Sequence, residues 1–170
     1  MSGNCRGSFS YIVTAQWDVV KGKKLNKYLN NPYTIPMTER VNIEHATKTL
    51  LDSGVTVSNG TDCPVELPFA LGGIQCAVTR CDLKGYGPYL KAEAFTVAEA
   101  LDSFTKMGAC ASFEEEKKGQ IRPGMLADFV VLGANPFETA PNKLKNIPIL
   151  ETYLNGDRVF CTDNVDFGNI

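Results

Sequence analysis

The sequence predicts an α/β fold that passes, near residue 118, into a second unit of short β-strands. Apolar residues recur at helical spacing over Glu39–Ser53, and after Gly54 the β-rich segment Val55–Ser58 follows. A helix joined to a strand by almost no connector is typical of a barrel or a doubly wound sheet. Beyond Gly119 the helical periodicity stops, and short apolar segments between turn residues replace it. The two patterns together place a boundary between two structural units.

Three further segments have helical character. Phe69–Thr79 has apolar residues at helical intervals. Thr96–Glu99 matches a capping box, with a threonine at the cap and a glutamate three residues later. We therefore expect a helix over Ala98–Met107 and a second short helix over about 109–117. Aromatic residues and Gly-Pro steps make 80–90 a predicted loop between them.

The last third of the sequence predicts short strands, and the first 40 residues are poorly assigned and rich in loop. Asn155-Gly156 is a hairpin-type turn. Ser10–Val20 could form a strand, but the polar, Asn-rich segment that follows reads as loop. The strands predicted near the C-terminus are Asp128–Leu132, Ile147–Leu154 and Arg158–Cys161.

Composition excludes several classes of protein. The chain has 170 residues, of which 44% are hydrophobic and 21% charged, so it can bury a core. A net charge of −2 without a basic block argues against nucleic-acid binding. No apolar run is long enough for a membrane span, and no signal peptide is visible. The six cysteines form no CxxC pair, so we expect reduced thiols in a cytoplasmic protein.

Asp62 is the strongest catalytic candidate that the residues themselves provide. It follows the predicted strand at the end of a Gly-bearing turn, and catalytic groups of α/β barrels collect at the carboxyl ends of strands. The alternative is a turn residue, because Gly-Thr-Asp is common turn chemistry. His45 is the single histidine of the chain, so the usual imidazole partners of a catalytic acid are missing.

Three motifs follow one another along the chain in a fixed order. The first, in Gly54–Val65, reads Gly-Val-x-Val and then Gly-Thr-Asp-Cys-Pro-Val. The second runs from Pro68 through Gly-Ile to the Ala-Val-Thr-Arg that ends at Arg80. The third, Thr96–Leu132, contains Lys-Gly-Gln-Ile-Arg-Pro-Gly-Met-Leu-Ala-Asp and is the most specific. In this order the motifs resemble the C-terminal part of metal-dependent amidohydrolases, in the amidohydrolase-3 branch that includes enzymes like the N-acyl-amino-acid deacylases. The match covers about residues 41–162.

This resemblance implies a longer enzyme with a (β/α)8 barrel, a divalent metal centre and a smaller composite β-sandwich. By that resemblance residues 41–118 are the last strand and helices of the barrel, and residues 119–170 are C-terminal strands of the sandwich. In residues 1–40 the sequence offers no motif that we can place in the family. The implied activity is hydrolysis of carbon–nitrogen bonds other than peptide bonds, in amide or N-acyl substrates.

The resemblance also implies roles for particular residues. Asp62 matches the acid that binds or approaches the metal and passes a proton from metal-bound water to the leaving nitrogen. Arg80 matches an arginine that could bind a substrate carboxylate, with an ion pair to Asp82 or Glu93 as the alternative. A metal-ligand role for His45 is disfavoured, since only 17 residues separate it from Asp62, too few for the intervening barrel steps.

Because most metal ligands are missing, we expect no activity and no stoichiometric metal in this chain alone. The resemblance implies a divalent metal in the parent enzyme, zinc, whose other ligands lie outside this chain. Asp128, a lone acid among apolar residues, is expected to make a structural hydrogen bond at a turn or strand edge. Incomplete neighbours would expose strand edges, so self-association is expected. The alternative to part of an enzyme is a non-catalytic domain that is derived from the same fold and has a ligand-binding or regulatory function.

Overall fold

The computed structural model describes residues 10–13, 47–61, 63–64 and 66–162, and of residues 10–13 it describes the backbone. The regular elements follow one another as strands, helices and short 3₁₀ helices. In chain order they are β1 (Ser10–Val13), α1 (Thr47–Asp52), β2 (Val57–Gly60), α2 (Ala70–Thr79), a first 3₁₀ helix (Lys91–Glu93), α3 (Val97–Phe104), α4 (Lys106–Ala111), β3 (Phe129–Leu132), a second 3₁₀ helix (Pro141–Asn146), β4 (Ile149–Leu154) and β5 (Asp157–Cys161).

The order of elements confirms the predicted mixture of helices followed by short strands. The part of the predicted first helix that falls within the described residues is α1, and Gly54 follows it with a φ of +87°. Helix α2 begins one residue after its predicted start and ends at the predicted Thr79. The capping box is present as predicted: Thr96 Oγ1 accepts from the Glu99 N–H, and the Thr96 N–H donates to the Glu99 carboxylate.

The two helices after the capping box differ from their predicted bounds. Instead of helices over 98–107 and 109–117, α3 ends at Phe104 and α4 spans Lys106–Ala111. Thr105 interrupts the pair with φ −124° and ψ −95°. Gly119 packs closely here, because an ideal Cβ placed on it would lie 3.2 Å from the Thr105 carbonyl oxygen. The returning chain therefore packs against the start of α4. At the other end of α4, Phe113 has a φ of +58°, which ends the helical path before residue 117.

The strands form two antiparallel sheets. One pairs β1 with β2, and Val13 lies opposite Val57. The other has the order β3-β4-β5, with an irregularity in each of its two pairings. The strands of a (β/α)8 barrel have parallel neighbours, so the antiparallel pairing of β2 is not itself barrel-like.

One apolar core joins residues from both sides of position 118. Val57 and Leu144 are fully buried, and Ile147 is 5% exposed. They cluster with Leu71, Ile74, Ala77, Phe95 and Ala100. The second 3₁₀ helix thus lies directly on α2, so the segment after residue 118 contributes to the core of the helical region. Among the described helices, none is both long and apolar enough to cross a membrane.

Candidate functional site

Strand β2 carries the chain to the predicted catalytic loop. Val57 is inaccessible to solvent and Ser58 is 7% exposed, so the strand is anchored in the core before it ends at Gly60. Asp62 itself lies outside the described residues, and its role stays a prediction. His45 also lies outside them.

A partly buried polar pair ties the end of β2 to helix α3. Asn59 Nδ2 donates a hydrogen bond of 3.0 Å to Ser103 Oγ, and that hydroxyl donates to the Ala100 carbonyl at 2.7 Å. Ser103 is fully buried. The pair holds the strand end just before the predicted acid. Nothing in the sequence pattern pointed to it, because its two members are 44 residues apart.

Arg80 is buried beneath the loop that follows it. It ends α2 in the left-handed region, with φ +57° and ψ 23°, and is 3% exposed. Its Nε donates to the Tyr89 carbonyl at 3.0 Å, while the Tyr89 N–H donates to the Arg80 carbonyl at 2.8 Å. This arginine therefore closes the base of a loop, a contact that was not predicted from the sequence.

Asp82 and Glu93, the two acids suggested as ion-pair partners of Arg80, accept hydrogen bonds from other residues. Asp82 Oδ1 accepts from the backbone N–H groups of Lys84 and Tyr86, at 2.9 and 2.8 Å. The Glu93 carboxylate accepts from the Thr49 N–H and hydroxyl, at 2.9 and 2.6 Å. Asp82 thus shapes the loop, and Glu93 joins the first 3₁₀ helix to α1.

The described residues do not supply a metal centre. They contain no group of three or more His, Cys, Asp or Glu side chains placed to hold a metal ion. Asn59 Oδ1 is a buried oxygen without a hydrogen-bond partner in this part of the chain. One amide oxygen does not make a zinc site, which takes three or more protein ligands. Within the described part of the chain, no two cysteines form a disulfide bond.

Asp128 has the structural role that the sequence predicted. Its Oδ1 accepts a 2.7 Å hydrogen bond from the Asn155 N–H. The Gly156 N–H donates to the Ala127 carbonyl at 3.0 Å beside it. The acid therefore fastens the β4–β5 hairpin turn to the start of β3.

A second carboxylate on this sheet, Glu151, was not predicted from the sequence. Glu151, 8% exposed, accepts hydrogen bonds from the Tyr153 hydroxyl at 2.8 Å and from Arg158 Nη1 at 2.9 Å. These two donors hold the pKa of Glu151 below its ordinary value. The cluster links β4 to β5 on one face of the sheet, and a structural role accounts for all of its contacts.

A cleft of about 610 Å³ lies between α3–α4 and β3. Phe104, Ile121 and Phe129 are among its apolar lining residues, and Lys118 and Asp128 are among its charged ones. Arg80 does not line it. The cleft is therefore separate from the loop that Arg80 closes.

Comparisons with known proteins agree with this arrangement. The model of the amidohydrolase family matches residues 30–160. "Putative amidohydrolase YtcJ" of Bacillus subtilis (strain 168) is 36% identical over 124 residues, which are 72% of this chain and 23% of that protein. "N-substituted formamide deformylase" of Arthrobacter pascens is 33% identical over 109 residues, 64% of this chain and 20% of its own length.

A solved structure is similar as well. The crystal structure of an amidohydrolase from Thermotoga maritima MSB8 aligns with a TM-score of 0.50 and 26% identity, over 69% of this chain and 26% of that one. The chain thus spans between a fifth and about a quarter of the relatives named here. The family model covers well over half of this chain, and the chain belongs to the amidohydrolase family.

Proposed function

We propose that this chain is the C-terminal part of a metal-dependent hydrolase that cleaves carbon–nitrogen bonds other than peptide bonds, in amide or N-acyl substrates. The observation that carries the proposal is the family match over residues 30–160, which includes β2, the catalytic-loop region and the helices that hold them. A relative named as an N-substituted formamide deformylase supports chemistry at a carbon–nitrogen bond.

The same proposal assigns the two structural regions. Strand β2 would be the last strand of a (β/α)8 barrel, and β3–β5 would be C-terminal strands of a composite β-sandwich. The similarity to the Thermotoga maritima amidohydrolase, with a TM-score of 0.50, supports a barrel-derived origin. The parallel neighbours of β2 would then come from chain that this sequence lacks.

Asp62 is proposed as the proton-transfer group and metal-site acid of the complete enzyme. Its position supports this role, because it follows by two residues a strand whose end is fixed by the partly buried Asn59–Ser103 pair. A fixed strand end holds an acid in place for proton transfer. The divalent metal, zinc in this proposal, would take most of its ligands from outside this chain, so the chain alone is expected to be inactive.

The first test is the genomic sequence upstream of Met1. An in-frame barrel with a His-x-His motif supports the enzyme. A stop codon before a genuine start site contradicts it and favours a non-catalytic ligand-binding domain.

The second test uses the complete chain and Asp62→Asn. We expect hydrolysis of N-substituted formamides or N-acyl amino acids to fall about a hundredfold or more, as for loss of a general acid–base group. Asp157→Asn, at an exposed position on β5, is the matched control and should keep full activity. An Asp62→Asn variant that folds and keeps its activity contradicts the assignment.

A further inference from the structure

The loop over residues 80–89 is a compact Ω-loop with a defined shape. Reciprocal hydrogen bonds between Arg80 and Tyr89 close its base. Within it, the Asp82 N–H donates to the Tyr86 carbonyl at 2.9 Å, and the Asp82 carboxylate accepts two backbone N–H groups. These contacts fix the shape of the loop, but they do not orient it against the rest of the molecule.

The tip of this loop lies on the first turn of α2. An ideal Cβ placed on Gly72 would lie 2.7 Å from Phe69 Cδ1 and 3.4 Å from Leu83 Cδ1, so both side chains cover this turn. Helix α2 begins at Ala70, shortly after the catalytic-loop region. In barrel proteins the start of a helix lies on the side where the preceding strand ends. The tip of the loop therefore lies on the side of the proposed active site.

Lys145 joins this tip to the second 3₁₀ helix. Its Nζ donates a hydrogen bond to the Leu83 carbonyl. Its backbone N–H donates at 3.1 Å to Oε1 of Gln75, a residue of α2 that is 5% exposed. One residue thus binds both the buried face of α2 and the loop, and its own position is fixed by the buried Leu144 next to it.

We propose that Lys145 is a positioning residue that holds the 80–89 loop against the start of α2, and that this loop forms one wall of the substrate cleft in the complete enzyme. The assignment of the loop as a cleft wall, the second half of this proposal, rests on the proposed function. The role of Lys145 in holding the loop, the first half, does not. The second 3₁₀ helix would thereby help to shape a substrate cleft that is formed mainly by the proposed barrel region.

Tryptic cleavage after the exposed Lys84, at the tip of the loop, tests the first half in the 170-residue chain. The measured quantity is the ratio of the cleavage rate after Lys84 to the cleavage rate after Lys117 in the same molecule. In Lys145→Met we expect this ratio to rise about tenfold above the wild-type value, because a hydrogen bond from a charged donor is lost. Lys145→Arg, which keeps a donor, should stay near the wild-type ratio. Lys143→Met, on the same 3₁₀ helix but exposed, should not change it. Equal ratios in all four proteins would overturn the proposal.

Competitive acetylation of the unmutated chain tests the same contact without a variant. Lys145 should react more slowly than Lys143, since its ammonium is held by the Leu83 carbonyl. Equal rates would overturn the proposal.

The second half predicts that Lys145→Met raises KM severalfold in the complete enzyme and leaves kcat nearly unchanged. An unchanged KM with a loosened loop overturns the cleft-wall assignment and leaves the proposed hydrolase standing. A complete wild-type chain without any hydrolysis contradicts the proposed function instead, whereas the protease and acetylation results still decide the role of Lys145.

Discussion

The helical region and the C-terminal sheet bury their apolar residues to very different extents. Around β2 and α2, Val57, Leu71 and Ile74 are at most 5% exposed. On the sheet β3–β5, Leu154 and Val159 are each 59% exposed. Since burial of apolar area is the main stabilising contribution to a fold, the helical region should supply most of the stability of this chain.

The exception within the C-terminal half is the second 3₁₀ helix. Leu144 is fully buried in the core of the helical region, although it lies between β3 and β4 in the sequence. The sheet is thus attached to the core through this short segment, while much of its apolar surface stays exposed. The sequence pattern changes near residue 118, but the apolar core contains residues from both sides of that position.

Two leucines test this contrast directly and should give the largest effect. Leu144→Ala is expected to lower the free energy of unfolding by about 3 kcal/mol, because it removes a buried side chain and leaves a cavity. Leu154→Ala, the same change at an exposed position, should cost at most about 0.5 kcal/mol. Urea unfolding followed by circular dichroism measures both. Equal costs would contradict the view that the core lies in the helical region and its 3₁₀ attachment.

Two glycines test how closely the returning chain packs on the helices. Gly119 and Gly85 share a φ of +93°, so alanine suffers the same backbone strain at both. At Gly119 the new Cβ would also lie 2.7 Å from Ala109 Cβ and 3.0 Å from Lys106 Cα; at Gly85 it meets nothing within 4 Å.

We therefore expect Gly119→Ala to be less stable than Gly85→Ala by about 2 kcal/mol, the cost typical of overpacking. Thermal unfolding of the two variants side by side measures the difference. Similar stabilities would mean that α4 can move away from residue 119 without cost.

The sequence predicted local features well and long-range ones poorly. Helix α2 and the capping box at Thr96 were correctly predicted because their signals lie within one or two helical turns. The break at Thr105 was missed, and the residue that packs beside it, Gly119, lies 14 positions later in the chain. The Gln75–Lys145 contact spans 70 residues and has no local signature. For the candidate site, motif spacing indicated Asp62, but the partly buried Asn59–Ser103 pair at the end of β2 depends on side-chain packing that no spacing reveals.

The capping box of α3 lies in the helical region, and its removal should give the smallest change in the free energy of unfolding. Thr96→Ala is expected to lower the free energy of unfolding by about 1 kcal/mol, whereas Thr96→Ser, which keeps the accepting hydroxyl, should change it little. For its partner Glu99, partial burial opposes ionisation, but hydrogen bonds from Thr96 and Lys48 outweigh it and lower the pKa.

A lowered carboxyl pKa contributes stability above the ordinary value, and that contribution is lost as the pH falls through the lowered one. Glu99→Gln should therefore cost most near neutral pH and least in acid, as urea unfolding across that range can show. A cost that does not depend on pH would mean that the charge of Glu99 contributes nothing to the stability of the cap.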